Sequence, residues 1–494
     1  MSDVSQTDTP WPAAHSSAEV VVVGSGAGGA PTAALLAEAG LDVLVIEEGP
    51  WVAQGEVVPF SLDQMHRQYR SRGVTVALGK PSIAYTEGRC AGGGSEINSG
   101  LYWRPPASLL SRWRDEYDLD TLDPDEVERI LDEIEVALSV QLVPGAPTAP
   151  SEVLRRGAAA LGWRHDEVPR WMTYPDGDDA SRGRRQSMTE TYLPRATQAG
   201  ARIVTGARVD RITLRAGHAN GVDVTTDDGA RRHIACRHVI VCAGAIHTPA
   251  LLQRSGIRRN VGASLAIHPT VKLTARFPET MNVPDDVPVH QVKEFAPLLS
   301  FGGSASHPGL VALSLADAWD RFGSRIVDWE RMSVYYAAIT PQGRGRVRAL
   351  PGFADPLVTY RLTRRDQALL GRGLARLSLV MLEAGADEVY PSFRGASVVS
   401  SRSDVAEQQR QFSATRATVM SVHLCSTVPL GGTRSARRGT DEWGAVPGVG
   451  NVTVNDASLL PDAPGVNPQA TVMAFAIRNT RHHLATDRFA RSDA

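Results

Sequence analysis

The residues best suited to chemistry near the start of this chain are glycines. Gly24-Ser25-Gly26-Ala27-Gly28-Gly29 carries the G-x-G-x-x-G spacing and directly follows Val20 to Val23, an apolar β-branched run typical of a parallel strand buried on both faces. In such a turn Gly24 permits the tight bend, Gly26 lets the backbone approach a pyrophosphate, and Gly29 lets the next helix pack closely on the strand. The unpaired N–H groups and positive dipole end of that helix favour the same anion. Pro31 in the first turn of an Ala- and Leu-rich segment and Gly40 at its close mark the helix. Leu41 to Ile46 reads as a second buried strand, and Glu47 at its end is placed to accept hydrogen bonds from ribose hydroxyls. The motif predicts a dinucleotide site without separating NAD from FAD.

A second glycine-rich run, Gly88-Arg89-Cys90-Ala91-Gly92-Gly93-Gly94-Ser95-Glu96-Ile97-Asn98-Ser99-Gly100, suits a loop lying flat against a ligand. Inside a helix or strand each glycine would cost up to about 1 kcal/mol relative to Ala. The neighbours Ile97, Leu101, Tyr102 and Trp103 argue against a disordered linker. Near the C-terminus stand Ser421-Val422-His423-Leu424-Cys425-Ser426-Thr427, then Asn451 to Pro461, then Gly465-Val466-Asn467-Pro468-Gln469 leading into a final helix to about Leu484. Cys90, Cys236, Cys242 and Cys425 form no C-x-x-C pair, so neither a metal site nor a redox pair is expected.

The elements between these motifs must position them. Leu122 to Leu138 predicts an acidic amphipathic helix, and Arg182 to Arg185 a solvated basic turn. From residue 201 the pattern predicts a meander, with Arg208 to Arg215 alternating, a hairpin turn at Asp227-Asp228-Gly229 and a buried strand at Val239 to Cys242. Thr248 as N-cap and Pro249 at the first helical position predict a helix over Ala250 to Ser255, stopped by Gly256. Residues 270 to 420 carry strand-like pieces and a helix near Arg365 to Glu383, suited to shaping a substrate cavity.

Taken together, the N-terminal dinucleotide motif, the Gly88–Gly100 run, the Ala243–Ile257 segment and the C-terminal pair resemble the glucose–methanol–choline (GMC) oxidoreductases, FAD enzymes that oxidise alcohols. The motifs span nearly the whole chain in the family's order, and Gly465-Val466-Asn467-Pro468 resembles the His/Asn subset that includes bacterial cholesterol and choline oxidases. The resemblance implies an α/β fold in which a Rossmann-like FAD-binding domain (19–110, 191–269 and 426–494) interleaves with an α+β substrate domain built on an antiparallel sheet (111–190 and 270–425). Residues 1–18 are expected to form a disordered leader.

It also implies roles. His423 would take the hydroxyl proton while hydride leaves the same carbon for flavin N5, a task suited to an imidazole whose ordinary pKa is near 6.5. A positioned base is worth roughly 10²–10⁴ in rate. Asn467, which has no basic lone pair to offer, would hold and orient the substrate oxygen. Gly24, Ser25, Gly26, Ala27, Gly29 and Glu47 would bind the dinucleotide. Arg89, Gly93, Gly94, Ser95 and Asn98 would line the isoalloxazine or diphosphate, and Val209 would meet the adenine through its backbone. Asp456 and Ala457 would approach the pyrophosphate and ribityl chain, with Pro468 and Gln469 at the pyrimidine edge. Some relatives attach FAD through a histidine in the Gly-rich segment; Glu96-Ile97-Asn98 stands there, so the FAD is expected to be non-covalent. The run after His423 departs from the family's usual Gly-Thr-Cys-Arg-Met-Gly form and leaves the substrate open. His247 and His268 receive no catalytic role, His482 and His483 are read as surface or packing residues, and Cys425 as a small buried filler.

Composition bounds the rest. A net charge of −2, from 52 basic and 54 acidic residues, excludes a general nucleic-acid binder. No run reaches the roughly 18 apolar residues of a membrane-spanning helix, and a cytoplasmic location is expected. Only Lys80, Lys272 and Lys293 are lysines, a bias that GC-rich coding accounts for most simply. The leading reading is oxidation of a small-molecule alcohol to a carbonyl, with O₂ or another acceptor taking the electrons. The modest length, Arg-rich composition and absence of an export signal resemble bacterial biosynthetic members of the family that oxidise sugar hydroxyls in aminoglycoside antibiotics. That resemblance implies a sugar or aminoglycoside-type hydroxyl as substrate, with Glu294, Asp328 and Glu330 as acidic groups of its cavity. A sterol or other apolar alcohol is the second reading, against which the 6% aromatic content weighs. An FAD-containing lyase of the same fold is the reading from another class.

Overall fold

The computed structural model describes residues 16–175, 183–283, 286–486 and 488–489. Most of the expected leader, and Arg182 of the basic turn, lie outside the described residues; Ser17 already begins the first strand. That strand, Ser17–Val23, is the centre of a seven-stranded sheet, flanked in parallel by Val43–Ile46 and Arg231–Val241, with Arg202–Val204 beyond Val43–Ile46. Burial on both faces explains its unbroken run of valines, since Val20, Val21 and Val22 expose nothing. The meander Ala207–Arg215 and His218–Thr226 extends the sheet antiparallel. Strand Arg231–Val241 serves two partners on one edge. Its first half pairs with the meander, and Val239 to Val241 pair in parallel with Val452–Val454, which delivers Asp456 beside Gly28 of the first glycine turn.

The helix Gly29–Glu38 follows that turn at close quarters. A Cβ on Gly29 would stand 2.0 Å from the carbonyl oxygen of Gly24, and one on Gly28 would stand 2.0 Å from that of Asn455. Gly24 itself adopts φ +99°, a conformation open to glycine.

A nine-stranded sheet forms the second half. Strand Thr270–Arg276 sits inside it, paired antiparallel with Met332–Ile339, which pairs with Leu299–Gly303, then His290–Val292 and His165–Glu167. On the other side Val419–Ser421 joins it to Ile83–Tyr85 and Thr75–Ala77. Helices Arg364–Glu383 and Ala149–Ala160 cover one face, and Thr363 with Asp366 closes a capping box on the first of these. Alternation along Thr270–Arg276 sends Val271 and Leu273 into that core and turns Thr270 and Lys272 to the opposite side.

Three local expectations are corrected. The helix before Gly256 runs over Gly244–Arg254 with Pro249 inside it. The proline removes an N–H that would have reached the Ala245 carbonyl, and that carbonyl instead accepts the Thr427 hydroxyl at 2.6 Å. Thr248, read as an N-cap, donates its hydroxyl to Asp456. Arg184–Arg185 is a short strand paired with Met172 and Thr173 rather than a solvated turn, and Arg185 turns inward to donate to the Glu96 carbonyl. The acidic helix does form, over Pro124–Ala137, and buries Val127, Ile130, Leu131 and Ile134. It shares the core of the dinucleotide half with the helix Ala107–Tyr117, which runs across the expected domain boundary at residue 110, and there Trp113 meets Phe475 edge-on at 6.0 Å. No helix among the described residues is long and apolar enough to cross a membrane.

Candidate active site

Between the two sheets lies a cavity of about 530 Å³ that reaches from Val209 and Arg254 at one end to Lys272 and Lys293 at the other. One end is walled by backbone. Gly24, Ser25, Gly26 and Ala27 line it together with Gly93, Gly94, Ser95 and Asn98 from the second glycine-rich run. The two runs are tied by Ser25, whose Oγ accepts the Gly92 N–H at 3.1 Å. A Cβ on Gly93 would stand 3.1 Å from the Gly26 Cα, so the backbones approach as closely as only glycines allow. Gly94 and Gly244 are different: a Cβ on either meets no atom within 4 Å, because both face the open cavity. A side chain there would occupy the volume that a flavin dinucleotide needs, so this wall fits FAD.

Carboxylates fix the wall from behind. Glu47 accepts the Ser25 N–H at 3.1 Å and its hydroxyl at 2.7 Å, and the Gly49 N–H at 2.8 Å; burial raises its pKa against these bonds. Asp456 is buried and accepts the N–H groups of Gly244 and Ser458, each at 2.8 Å, and the hydroxyls of Thr248 and Ser458. Ala457 lies beside it on the cavity wall, and Val209 lines the far end near Leu251. Asn98 donates to the Gln469 side chain at 2.8 Å and accepts the Gly100 N–H at 2.9 Å. Pro468 and Gln469 open the helix Gln469–Ala485 at the cavity, so its first N–H groups and positive dipole end face the same space.

Two of the expected cofactor residues stand back from the cavity. Arg89 turns its guanidinium to Glu48 and Asp227. Gly29 packs helix on strand without lining the cavity, the structural role its spacing implied.

His423 and Asn467 both line the other part of the cavity. Nδ1 of His423 lies 2.9 Å from Nδ1 of His268, and Nε2 of His268 accepts the Gly465 N–H at 3.0 Å. A backbone N–H only donates, so a neutral His268 carries its proton on Nδ1 and gives it to His423. Burial pushes the His423 pKa down to about 4, with the Lys293 charge adding to the effect. Burial also lowers His268 well below the ordinary value, with His423 and Lys293 adding to the effect.

Several cavity residues were given no place in the site by the sequence reading. Glu48 pairs with Arg70 at the dinucleotide end; burial works upward on its pKa, but that partner holds it at about 2. Glu87 Oε2 and His247 Nε2, 3.9 Å apart, lack hydrogen-bond partners, and burial raises Glu87 to about 7. At the substrate end are His268, Gln291, Tyr336, Lys272 and Lys293. Lysine scarcity was the available signal for the last two. Glu294, Asp328 and Glu330 do not reach the cavity: Glu294 accepts the Arg164 N–H, Asp328 faces Arg276, and Glu330 is exposed. Cys425 is buried off the cavity with its thiol pKa raised by burial. His482 stacks on Trp443 at 3.6 Å and His483 bonds the Trp443 carbonyl.

Comparison with known proteins agrees with this geometry. Models described as GMC oxidoreductase match residues 65–270 and 341–476, and one described as an NAD(P)-binding Rossmann-like domain matches residues 22–54. An uncharacterised GMC-type oxidoreductase of Sinorhizobium fredii is 40% identical over 93% of both chains. A long-chain-alcohol oxidase of Arabidopsis thaliana is 26% identical over 93% of this chain and 67% of its own. The crystal structure of pyridoxine 4-oxidase from Mesorbium loti superposes with a TM-score of 0.71 at 18% identity, covering 95% of this chain and 99% of that one. With a glycine-walled dinucleotide site and a histidine-bearing cavity joined across two sheets, the chain belongs to the GMC oxidoreductase family, whose members are FAD flavoproteins.

Proposed function

We propose that this protein oxidises an alcohol to a carbonyl with non-covalently bound FAD, His423 handling the hydroxyl proton and Asn467 holding the substrate oxygen. The observation that carries the reading is that one cavity is lined by both these side chains and by the glycine wall. FAD, when bound, supplies the hydride acceptor. The helix end at Gln469 favours negative charge at the flavin's edge of the cavity. The hydrogen bonds of His268 assign a neutral His423 its proton on Nε2 and its lone pair on Nδ1. To receive a substrate proton at Nε2, His423 must first lose its Nε2 proton and take over the Nδ1 proton of His268, while His268 gains one proton at Nε2, where the Gly465 N–H must release it; one proton thus moves from His423 Nε2 to His268 Nε2. Losing that buried bond costs about 1–3 kcal/mol, which makes this tautomer the less populated of the two.

The absence of Glu294, Asp328 and Glu330 from the cavity removes the support for a polyamine sugar. An apolar alcohol gains some from Leu101, Leu310, Ile339 and Met420 on the wall and from the relative named a long-chain-alcohol oxidase. The test is an anaerobic titration of the purified holoenzyme with alcohols, followed by its visible spectrum. Bleaching of the flavin band supports the oxidation, and admitting air then reports whether O₂ accepts the electrons. A flavin that no alcohol bleaches, in a protein that cleaves a hydroxylated substrate instead, would assign the lyase.

A further inference from the structure

Lysine is almost missing from this chain, yet two of its three lysines line the active-site cavity. Lys80 is exposed in a bend. Lys272 projects from Thr270–Arg276 on the side away from the core residues Val271 and Leu273. Lys293 follows the strand His290–Val292, is 7% exposed, and holds its ammonium 4.5 Å from the centre of the Trp103 ring. One polar belt joins them. Trp103 donates to Gln291 at 3.0 Å, Gln291 donates to the Tyr336 hydroxyl at 3.2 Å, and Tyr336 is the cross-strand neighbour of Lys272.

Neither ammonium is in an ion pair with a carboxylate among the described residues. Asp166 acts on Lys293 from a distance, but its own ion pair is with Arg164 at 3.2 Å. The acidic groups on the cavity wall, Glu47, Glu48, Glu87 and Asp456, belong to the dinucleotide end. Burial lowers both lysines to about 8, the behaviour of cations short of counter-charge.

Taking two ammonium groups out of water without a partner is costly, and a partner arriving with the ligand offsets that cost. A cationic substrate would add a third positive charge, and a wholly apolar one would leave both lysines uncompensated. We infer that the alcohol oxidised here carries an anionic group, a carboxylate in its simplest form, and that Lys272 and Lys293 bind it while its hydroxyl end lies at His423 and Asn467. The inference rests on the alcohol-oxidation reading for the hydroxyl and on the lysines alone for the anion.

The experiment is calorimetric titration of the holoenzyme with hexanoate and benzoate, against hexanamide, benzamide and hexyltrimethylammonium, in the native protein and in Lys272→Met and Lys293→Met. The carboxylates are expected to bind about tenfold or more tighter than their amides, and each substitution to erase most of that preference. Lys→Met also removes a buried unpaired charge, so the melting temperature should hold or rise; Lys272→Gln and Lys293→Gln replace any variant that fails to fold. Amides or the ammonium compound binding as tightly as the carboxylates, or carboxylates that fail to bind, would overturn the inference. So would substitutions that weaken acid and amide equally. If no alcohol bleaches the flavin while carboxylates still bind through the lysines, the anion site stands and the oxidation reading falls.

Discussion

His268 and His423 meet through their Nδ1 atoms at 2.9 Å, and the Gly465 N–H occupies the far nitrogen of His268. That arrangement dictates tautomers: the proton of His268 on Nδ1 and that of His423 on Nε2. Nitrogen-15 histidine spectra of the holoenzyme should find both, and His268→Gln, whose amide can donate or accept, should mix the two forms of His423. A protonated Nδ1 on His423 in the resting enzyme would contradict the assignment. His423→Ala should slow flavin reduction by roughly 10²–10⁴ without altering the resting flavin spectrum.

Glycines of the cavity wall divide by what lies beyond them. Gly94→Val enters open space, so the apoprotein should melt within about 0.5 kcal/mol of the native chain while FAD binding weakens at least tenfold. Gly28→Ala drives a Cβ toward the Asn455 carbonyl and should destabilise the apoprotein by roughly 1–3 kcal/mol or more. Cofactor fluorescence and thermal melts read the two effects separately.

The Ala245 carbonyl tests a substitution of one donor for another. Thr427→Val should cost about 1–2 kcal/mol by leaving that buried acceptor unmet. Pro249→Ala restores a helical N–H to the same oxygen, so the cost of Thr427→Val should shrink by about 1 kcal/mol in that background. Additive losses in a denaturation cycle would refute the exchange.

Several histidines are buried out of their charged form: burial is the leading cause that holds His423 and His238 at about 4, His247 and His483 at about 3, and His268 well below the ordinary value. Folded values below the ordinary 6.5 mean that the unfolded chain binds more protons in this window. The stability involved is present above pH 6.5 and lost as pH falls toward 4 and 3. The melting temperature should drop across that range. His238→Gln, far from the cavity and packed on Phe489, should reduce the loss by roughly 2 kcal/mol.

How much of this was legible follows from how locally each feature is encoded. The strand–turn–helix of residues 17–38 is written in consecutive residues, whose pattern is legible even though distant segments such as Asn455 are what crowd its glycines. His423 was readable because its segment is a motif. Its partner His268 was not, because the two meet across the short pairing of Ala266 and Ile267 with Leu424 and Cys425. Lys272 and Lys293 were counted and set aside as a coding bias; only the register of four strands turns them to one cavity. Pro249 misled because its rule assumes that the helix satisfies its own carbonyls, whereas Thr427, far along the chain, supplies the missing donor.

The hydrogen bond between Asn98 and Gln469 has a bearing on biosynthesis. It closes the cavity wall with residues 371 positions apart, and Asn455 makes a comparable link to Thr32. A nascent chain on the ribosome can fold its first glycine turn early, but the pocket has no floor until the helix beginning at Gln469 has emerged. The wall that faces FAD is therefore completed only after residues near 469 have been made, so cofactor binding has to follow the synthesis of both halves of this seam.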